Sequence, residues 1–338
     1  MSKTISYKRE IVKNYIKRFP NHGSRTIARK IWQENSKEWN SYEAVRAMVM
    51  IVRGLMGDKN RKSARDKSLF VKPFTFNQNP YGLPKSDAKK PKVFNLPNQF
   101  NNILLISDLH IPYHDNTALS IAIEYGKKNN VNCIFINGDL VDFYQISRFT
   151  NVERKRSVSE ELEITKQVLD VFNKEFPNIP IYFLLGNHDN RLELYLANKA
   201  PELLDVEEFR LEYLLEAEKH NMTVLKDTTL VKIGKLAVTH GHLLLRGVFA
   251  PVNAARGSFL RAKASVIIGH VHKVSTHSET TINNKVITCY STGCLCELAP
   301  DYNPFGNNYS HGFAHIQVKE NGNYSVRNLQ VIDGVIIN

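Results

Sequence analysis

The sequence predicts an α/β sandwich with mixed sheets, preceded by a small all-α module. Three observations carry this. From Asn101 onward apolar, strand-like runs alternate with amphipathic helical stretches, and the last third is richer in β signals. Before that point the apolar spacing is helical, in three short pieces. The charge divides at the same place. Of a net +12 over 338 residues, residues 1–92 carry 22 Lys and Arg against 7 Asp and Glu, or +15, and the remainder carries −3.

The first helix is predicted over residues 7–19, where Ile11, Val12, Tyr15, Ile16 and Phe19 form a stripe. Pro20-Asn21-His22-Gly23 breaks it, and Ser24 is placed to cap a second helix from Arg25 to Glu34. Asn40 and Glu43 have the spacing of a capping box for a third helix ending near Leu55. Its Val45, Met48, Val49 and Val52 point inward, with Arg46 and Arg53 near the opposite face. Three short helices with basic residues on the last resemble a helix-turn-helix module over 1–57. Residues 58–100 lack periodicity, contain five prolines and read as a basic linker. The larger α/β domain is expected over 101–338.

In that domain strands are predicted at Ile103–Ile106, Cys133–Ile136 and Ile181–Leu185, with helices over 117–128, 160–176 and much of 191–219. Further strands fall at Thr229–Ile233, Lys235–Thr239, Val266–Ile268, Val286–Tyr290 and Ala314–Val318. No run approaches the length of a membrane span, and Met1 to Lys8 is polar, without a signal-peptide core. The expectation is a cytoplasmic protein that does not engage a membrane. Cys133, Cys289, Cys294 and Cys296 are too few and too irregularly spaced for a disulfide framework, and read as reduced thiols.

Five of the strands end in polar clusters: Ser107-Asp108-Leu109-His110, Asn137-Gly138-Asp139-Leu140-Val141-Asp142, Gly186-Asn187-His188-Asp189, Thr239-His240-Gly241-His242 and Gly269-His270-Val271-His272. Ligands collect at the C-terminal ends of strands in α/β sheets. Asp108/His110 and His270/His272 are i, i+2 pairs, whose period-two geometry sends both members to one side. Carboxylates, an amide oxygen and imidazoles make a mixed N/O donor set, suited to Mn²⁺, Zn²⁺, Fe or Ni²⁺ rather than Ca²⁺.

Asp-x-His, Gly-Asp-x-x-Asp, Gly-Asn-His-Asp, His-Gly-His and Gly-His-x-His, in this order, resemble the calcineurin-like metallophosphoesterase superfamily over about residues 102–318. The resemblance implies an αββα sandwich and two divalent metal ions, with Mn²⁺ the first choice. It places one metal on Asp108, His110, Asp139 and His272, and the other on Asp139, Asn187, His240 and His270, with Asp139 bridging. It makes His188 the group that protonates the leaving oxygen and Asp142 the carboxylate that orients it. Two cations about 3.5–4 Å apart clamp the phosphoryl oxygens during in-line attack. His242, Arg191 and His311 are further candidates for substrate contact. Ser291 to Cys296, Pro300 to Asn303 and His311 to Phe313 resemble phage-borne members, for which the compartment would be the host cytoplasm.

The expected activity is that of a phosphodiesterase or nuclease, with DNA favoured as partner and Arg46 and Arg53 as candidate nucleic-acid contacts. Two rivals stand beside it. One is a phosphomonoesterase whose basic arm serves localisation, and the other is a non-enzymatic DNA-binding regulator.

Overall fold

The computed structural model describes residues 3–64, 67–71, 83–88, 90–147, 157–247, 252–300 and 307–337. The linker prolines Pro73 and Pro80, and Asp301 to Asn303, lie outside them. The chain divides into two units, 1–88 and 89–338.

The first unit holds α1 (Lys3–Arg18), α2 (Ser24–Asn35), α3 (Tyr42–Val52) and a short α4 (Asp58–Ser63). Its core is the predicted stripes brought together: Val12 and Ile16, Ile27, Ala28 and Ile31, then Val45, Val49 and Val52, with Trp39 sealing the turn. Ser41 rather than Asn40 caps α3, its hydroxyl accepting from the Ala44 amide at 3.2 Å. Ser24 falls inside α2, which starts from Gly23 with no side-chain cap.

The two arginines expected to face nucleic acid do other work. Arg53 is only 6% exposed; its guanidinium turns inward to donate to Ser24 Oγ at 3.2 Å and the Pro20 carbonyl at 3.5 Å. As the residue closing α3, it folds back over the module instead of projecting from it, which corrects its assignment as a contact. Arg46 stays at the surface, with Nε donating to Glu43 at 2.8 Å.

The second unit begins earlier than residue 101, because β1 (Val93–Asn95) pairs in parallel with a later strand and Leu96 enters the core. There follow β2 (Asn102–Ile106), α5 (Asn116–Lys128), β3 (Cys133–Asn137), α6 (Val158–Glu175), β4 (Ile181–Leu184), α7 (Arg191–Lys199), α8 (Leu211–Leu214), β5 (Met222–Leu225), β6 (Leu230–Ile233) and β7 (Leu236–Val238). The chain continues through α9 (Ala254–Ala262), β8 (Val266–Ile268), β9 (Val274–Thr280), β10 (Val286–Thr292), β11 (His311–Val318), β12 (Tyr324–Ile332) and β13 (Val335–Ile337).

One sheet runs β13-β12-β11-β2-β3-β4-β5 and the other β1-β6-β7-β8-β10-β9. In the first, β2 to β5 are parallel in chain order, as expected for strands joined by crossovers. Strand alternation sorts the side chains into layers. Ile103, Leu105, Cys133, Phe135, Tyr182 and Leu184 face Val231, Val238 and Ile267 of the other sheet. Leu104, Ile106, Ile134, Ile136 and Phe183 face a core that includes Leu119 of α5 and Leu169 and Phe172 of α6. On the outer side of the second sheet Val266 and Ile268 pack with Ala255 of α9. This is an αββα sandwich, with β2, β3, β4, β7 and β8 all central enough to be buried on both faces.

The four cysteines are free and buried. Among the described residues no helix is long and apolar enough to cross a membrane.

Candidate metal centre

The polar clusters begin where the central strands stop, and the backbone there is not strand-like. Asp108, His110, Asp139, His270 and His272 all have positive φ, between 47° and 68°. The i, i+2 pairs therefore meet by successive left-handed turns, not by continuing the pleat as the sequence reading supposed. Non-glycine residues seldom adopt this conformation, and several at one site mark backbone held by its surroundings. Two glycines make room for the convergence. A Cβ at Gly138 would run into the His240 ring, and one at Gly186 into the Asp139 carboxylate.

The convergence is tight. Ligand-type atoms of Asp108, His110, Asp139 and His272 lie within 4.8 Å of one another, and so do those of Asp139, His240 and His270. Asp139 belongs to both groups. Its Oδ2 is 3.7 Å from His110 Nε2 and 3.1 Å from His240 Nε2, while Asp108 Oδ1 is 3.2 Å from His272 Nε2. His110 and His272 face each other, Nε2 to Nε2, at 3.0 Å.

Hydrogen bonds fix how each ring is turned. His240 directs Nδ1 to the Asn137 carbonyl at 2.7 Å, which leaves Nε2 pointing at Asp139. His110 directs Nδ1 to Asp142 Oδ1 at 3.0 Å, which leaves its Nε2 in the cluster. Asp108 accepts from Ser107 Oγ and from the His270 amide. Asn187 lies between Gly186 and His188, whose amide donates to Asp139 Oδ1 at 2.8 Å.

A donor set for cations leaves its own signature. Asn187 Oδ1 is buried without a hydrogen-bond partner among the described residues. An orphaned acceptor of this kind, one residue before the His188 amide that donates to Asp139, fits cation binding. The protonation states are mixed: against burial, Asp139 and Asp108 raise His240 to about 9, and Cys296 and Asp108 raise His272, so these two rings carry charge opposite the carboxylates. Burial alone would raise Asp139, yet the imidazoles of His240, His188 and His110 outweigh it and hold the carboxyl well below its usual range. Burial, assisted by His240, pushes His270 down to about 4, so its ring is neutral and able to coordinate.

His188 stands beside this cluster, its ring meeting that of His110 edge-on at 4.3 Å between centroids. Its Nδ1 is 3.0 Å from Asp142 Oδ1 and its Nε2 is 3.0 Å from Arg191 Nη2. Arg191 also donates to the Asp142 carbonyl at 2.8 Å. Burial works against the charge on Asp142, but hydrogen bonds from His110 and His188 keep it ionised, well below the carboxylate range.

The remaining candidates lie apart. His242 is held by Asp227 at 3.2 Å, with its ring 5.5 Å from His240 and 6.0 Å from His270. His311 opens β11 and directs Nε2 to the Cys296 carbonyl at 2.9 Å.

Three residues escaped the sequence reading. Asp189 is buried, and its carboxylate accepts four backbone amides: Gly186 and Asp139 on one oxygen, Leu140 and Val141 on the other. It ties the end of β4 to the end of β3. Tyr309 places its ring 4.3 Å from that of His272. Glu161, buried in α6, is pushed up to about 7 by burial and by the nearby Asp142. Asp189 was visible as the last letter of Gly-Asn-His-Asp, but its amide partners were not. Nothing in the sequence marks the other two.

Residues 102–274 match the family model described as calcineurin-like phosphoesterase. The Gene 54 protein of Mycobacterium phage L5 is 30% identical over 234 residues, spanning 64% of this chain and 88% of that protein. Among solved structures, a single mutant of Vps29 from Entamoeba histolytica is 14% identical over 70% of this chain and 99% of that one, with a TM-score of 0.36. Yfce, a phosphoesterase from E. coli, is 15% identical over 67% of this chain and 98% of that one, with a TM-score of 0.33.

Proposed function

The chain belongs to the calcineurin-like phosphoesterase family and is a metal-dependent phosphoester hydrolase, and from that premise we propose that it is a phosphodiesterase or nuclease acting on nucleic acid. The observation that carries the substrate class is the charge division. Residues 93–338, of net −3, are joined in one chain to residues 1–92, of net +15, a segment suited to phosphate contacts along a polyanion.

In this reading Asp108, His110, Asp139 and His272 hold one divalent cation, and Asp139, Asn187, His240 and His270 hold the other. Mn²⁺ is the first choice, and Zn²⁺, Fe or Ni²⁺ suit the same donors. When bound, the pair supplies Lewis-acid polarisation of the phosphoryl oxygens and a nucleophile at neutral pH.

The chain's own residues handle the leaving group. Arg191 donates to His188 Nε2, so that nitrogen is the acceptor and Nδ1 carries the proton shared with Asp142. A substrate phosphate draws Arg191 to itself, and Nε2 is then free to take up a proton from solvent water and deliver it to the departing oxygen. Asp142 keeps the ring aimed throughout and balances the charge it gains. His242, held by Asp227 beside His240 and His270, lines the edge where the ester group lies.

The experiment is a substrate panel on the full-length chain with Mn²⁺, Mg²⁺, Ni²⁺ and Zn²⁺. The expected order is faster hydrolysis of bis-p-nitrophenyl phosphate than of p-nitrophenyl phosphate, with degradation of DNA. The rival is a phosphomonoesterase whose basic segment, residues 1–92, serves localisation. Preference for the monoester with intact DNA and RNA would establish that rival instead.

A further inference from the structure

The basic residues of the first unit are not spread evenly over its helices. A helix-turn-helix would present α3, but the solvent side of α3 offers Glu43 and Ala44, together with an Arg46 already paired to Glu43. Arg53 is turned inward. On α2 the buried stripe of Ile27, Ala28 and Ile31 leaves Arg25 and Arg29 exposed one turn apart, with Lys30 beside them. At the end of α1, Lys17 and Arg18 are exposed as well. Phe19 joins the two helices: the Arg18 guanidinium carbon is 5.2 Å from its ring centroid and Lys30 Nζ 4.7 Å.

Among the described residues no acid forms an ion pair on this face, and Glu34, at its edge, is engaged by Tyr15. Glu10 pairs with Lys13, and Glu43 with Arg46. Among the described residues none of Lys17, Arg18, Arg25, Arg29 and Lys30 takes part in an ion pair. Two cations converging on one ring repel each other, and a row of such charges is neutralised by a polyanion. The ring between them is covered by those cations, so the face offers charge and no open stacking platform. That suits the backbone of a duplex rather than unstacked bases.

We propose that the α1–α2 face, centred on Arg18, Arg25, Arg29 and Lys30, is the surface that takes the phosphate backbone of duplex DNA. This rests on the nucleic-acid reading above and locates its contacts on α1 and α2, away from α3. Such contacts position a duplex without reading its sequence.

The test uses the full-length chain and a short fluorescent DNA duplex of arbitrary sequence, with anisotropy measured across a salt series. Each phosphate contact contributes about 0.9 to the log–log salt slope on duplex DNA. Replacing Arg18, Arg25, Arg29 and Lys30 together by Gln should lower the slope by about 3–4, and Arg46→Gln should leave it unchanged. If the fourfold variant loses helix content, Arg25→Gln with Arg29→Gln, both exposed, should still lower the slope by about 2. Wild-type binding with an unchanged slope in these variants overturns the placement and leaves the nucleic-acid reading standing. A slope lost in Arg46→Gln instead returns the contact to α3. A wild-type chain that does not bind the duplex at low salt overturns both.

Discussion

In the hydrolytic unit Asp108, Asp139 and His240 are sunk at the ends of buried strands, each turned by a named hydrogen bond. In the N-terminal unit the side chains of Arg25 and Arg29 are exposed, and among the described residues neither forms an ion pair. The contrast separates two ways of encoding function. Buried ionisable groups are costly unless paired or coordinated, so their convergence specifies chemistry. Surface charge costs little, is screened within about 10 Å, and identifies a partner only by its sign and its arrangement.

The sharpest way to break this comparison is to remove charge from the buried side. Asp139→Asn takes away the carboxylate shared by both ligand groups. It should abolish metal retention and turnover, a loss beyond that of any acid–base residue, read by elemental analysis and by diester hydrolysis. Normal metal content and rate in that variant would show that Asp139 does not hold the cations.

His188→Ala is the next largest effect, a rate loss of roughly 10²–10⁴-fold with metal content retained. The loss should shrink for substrates whose leaving groups need no proton. A variant that loses metal would make His188 a ligand and reassign its role.

Glu161 tests the cost of buried charge directly. Its carboxyl sits near 7 in the folded chain against an ordinary 4.5, so the unfolded chain ionises first as pH rises. The folded state therefore loses stability between about pH 4.5 and 7, by at most about 3 kcal/mol. Glu161→Gln keeps an acceptor without the charge. It should be more stable than wild type at pH 8 and equal to it near pH 4 in denaturant titrations. Equal stability at both values would place the group in a more polar setting than its burial indicates.

Asp189 gives the smallest of these effects. Asparagine can accept amides on one side only and sets an NH₂ against the others, which loosens the loop that carries Asp139. Asp189→Asn should weaken metal affinity by about 10–100-fold. The check is a metal titration with a circular-dichroism control, and unaltered affinity would reduce Asp189 to a local turn.

How much of this was legible in the sequence follows the same divide. The runs Ile103–Ile106, Cys133–Ile136 and Ile181–Leu185 read as strands because both faces are buried, so every residue is apolar. β9, with Thr276, Ser278 and Thr280, and β12, with Ser325 and Arg327, carry polar side chains on an open face and resemble loops by composition. The metal-type residues were legible as types at strand ends, but not the left-handed turns that gather them. Those turns depend on amide bonds such as Asp189 to Val141, which no spacing reveals. Arg53 misled because a helical wheel assigns a face to a residue that the end of the helix folds back on Ser24.

In the proposed centre one carboxylate, Asp139, joins two cation sites. The direct measurement is titration of the chelator-stripped full-length chain with Mn²⁺, with bound metal and hydrolysis of bis-p-nitrophenyl phosphate read on the same samples. Two equivalents are expected to bind per chain, with hydrolysis appearing only as the second is taken up. Saturation at a single equivalent with full activity would contradict the bridging role of Asp139.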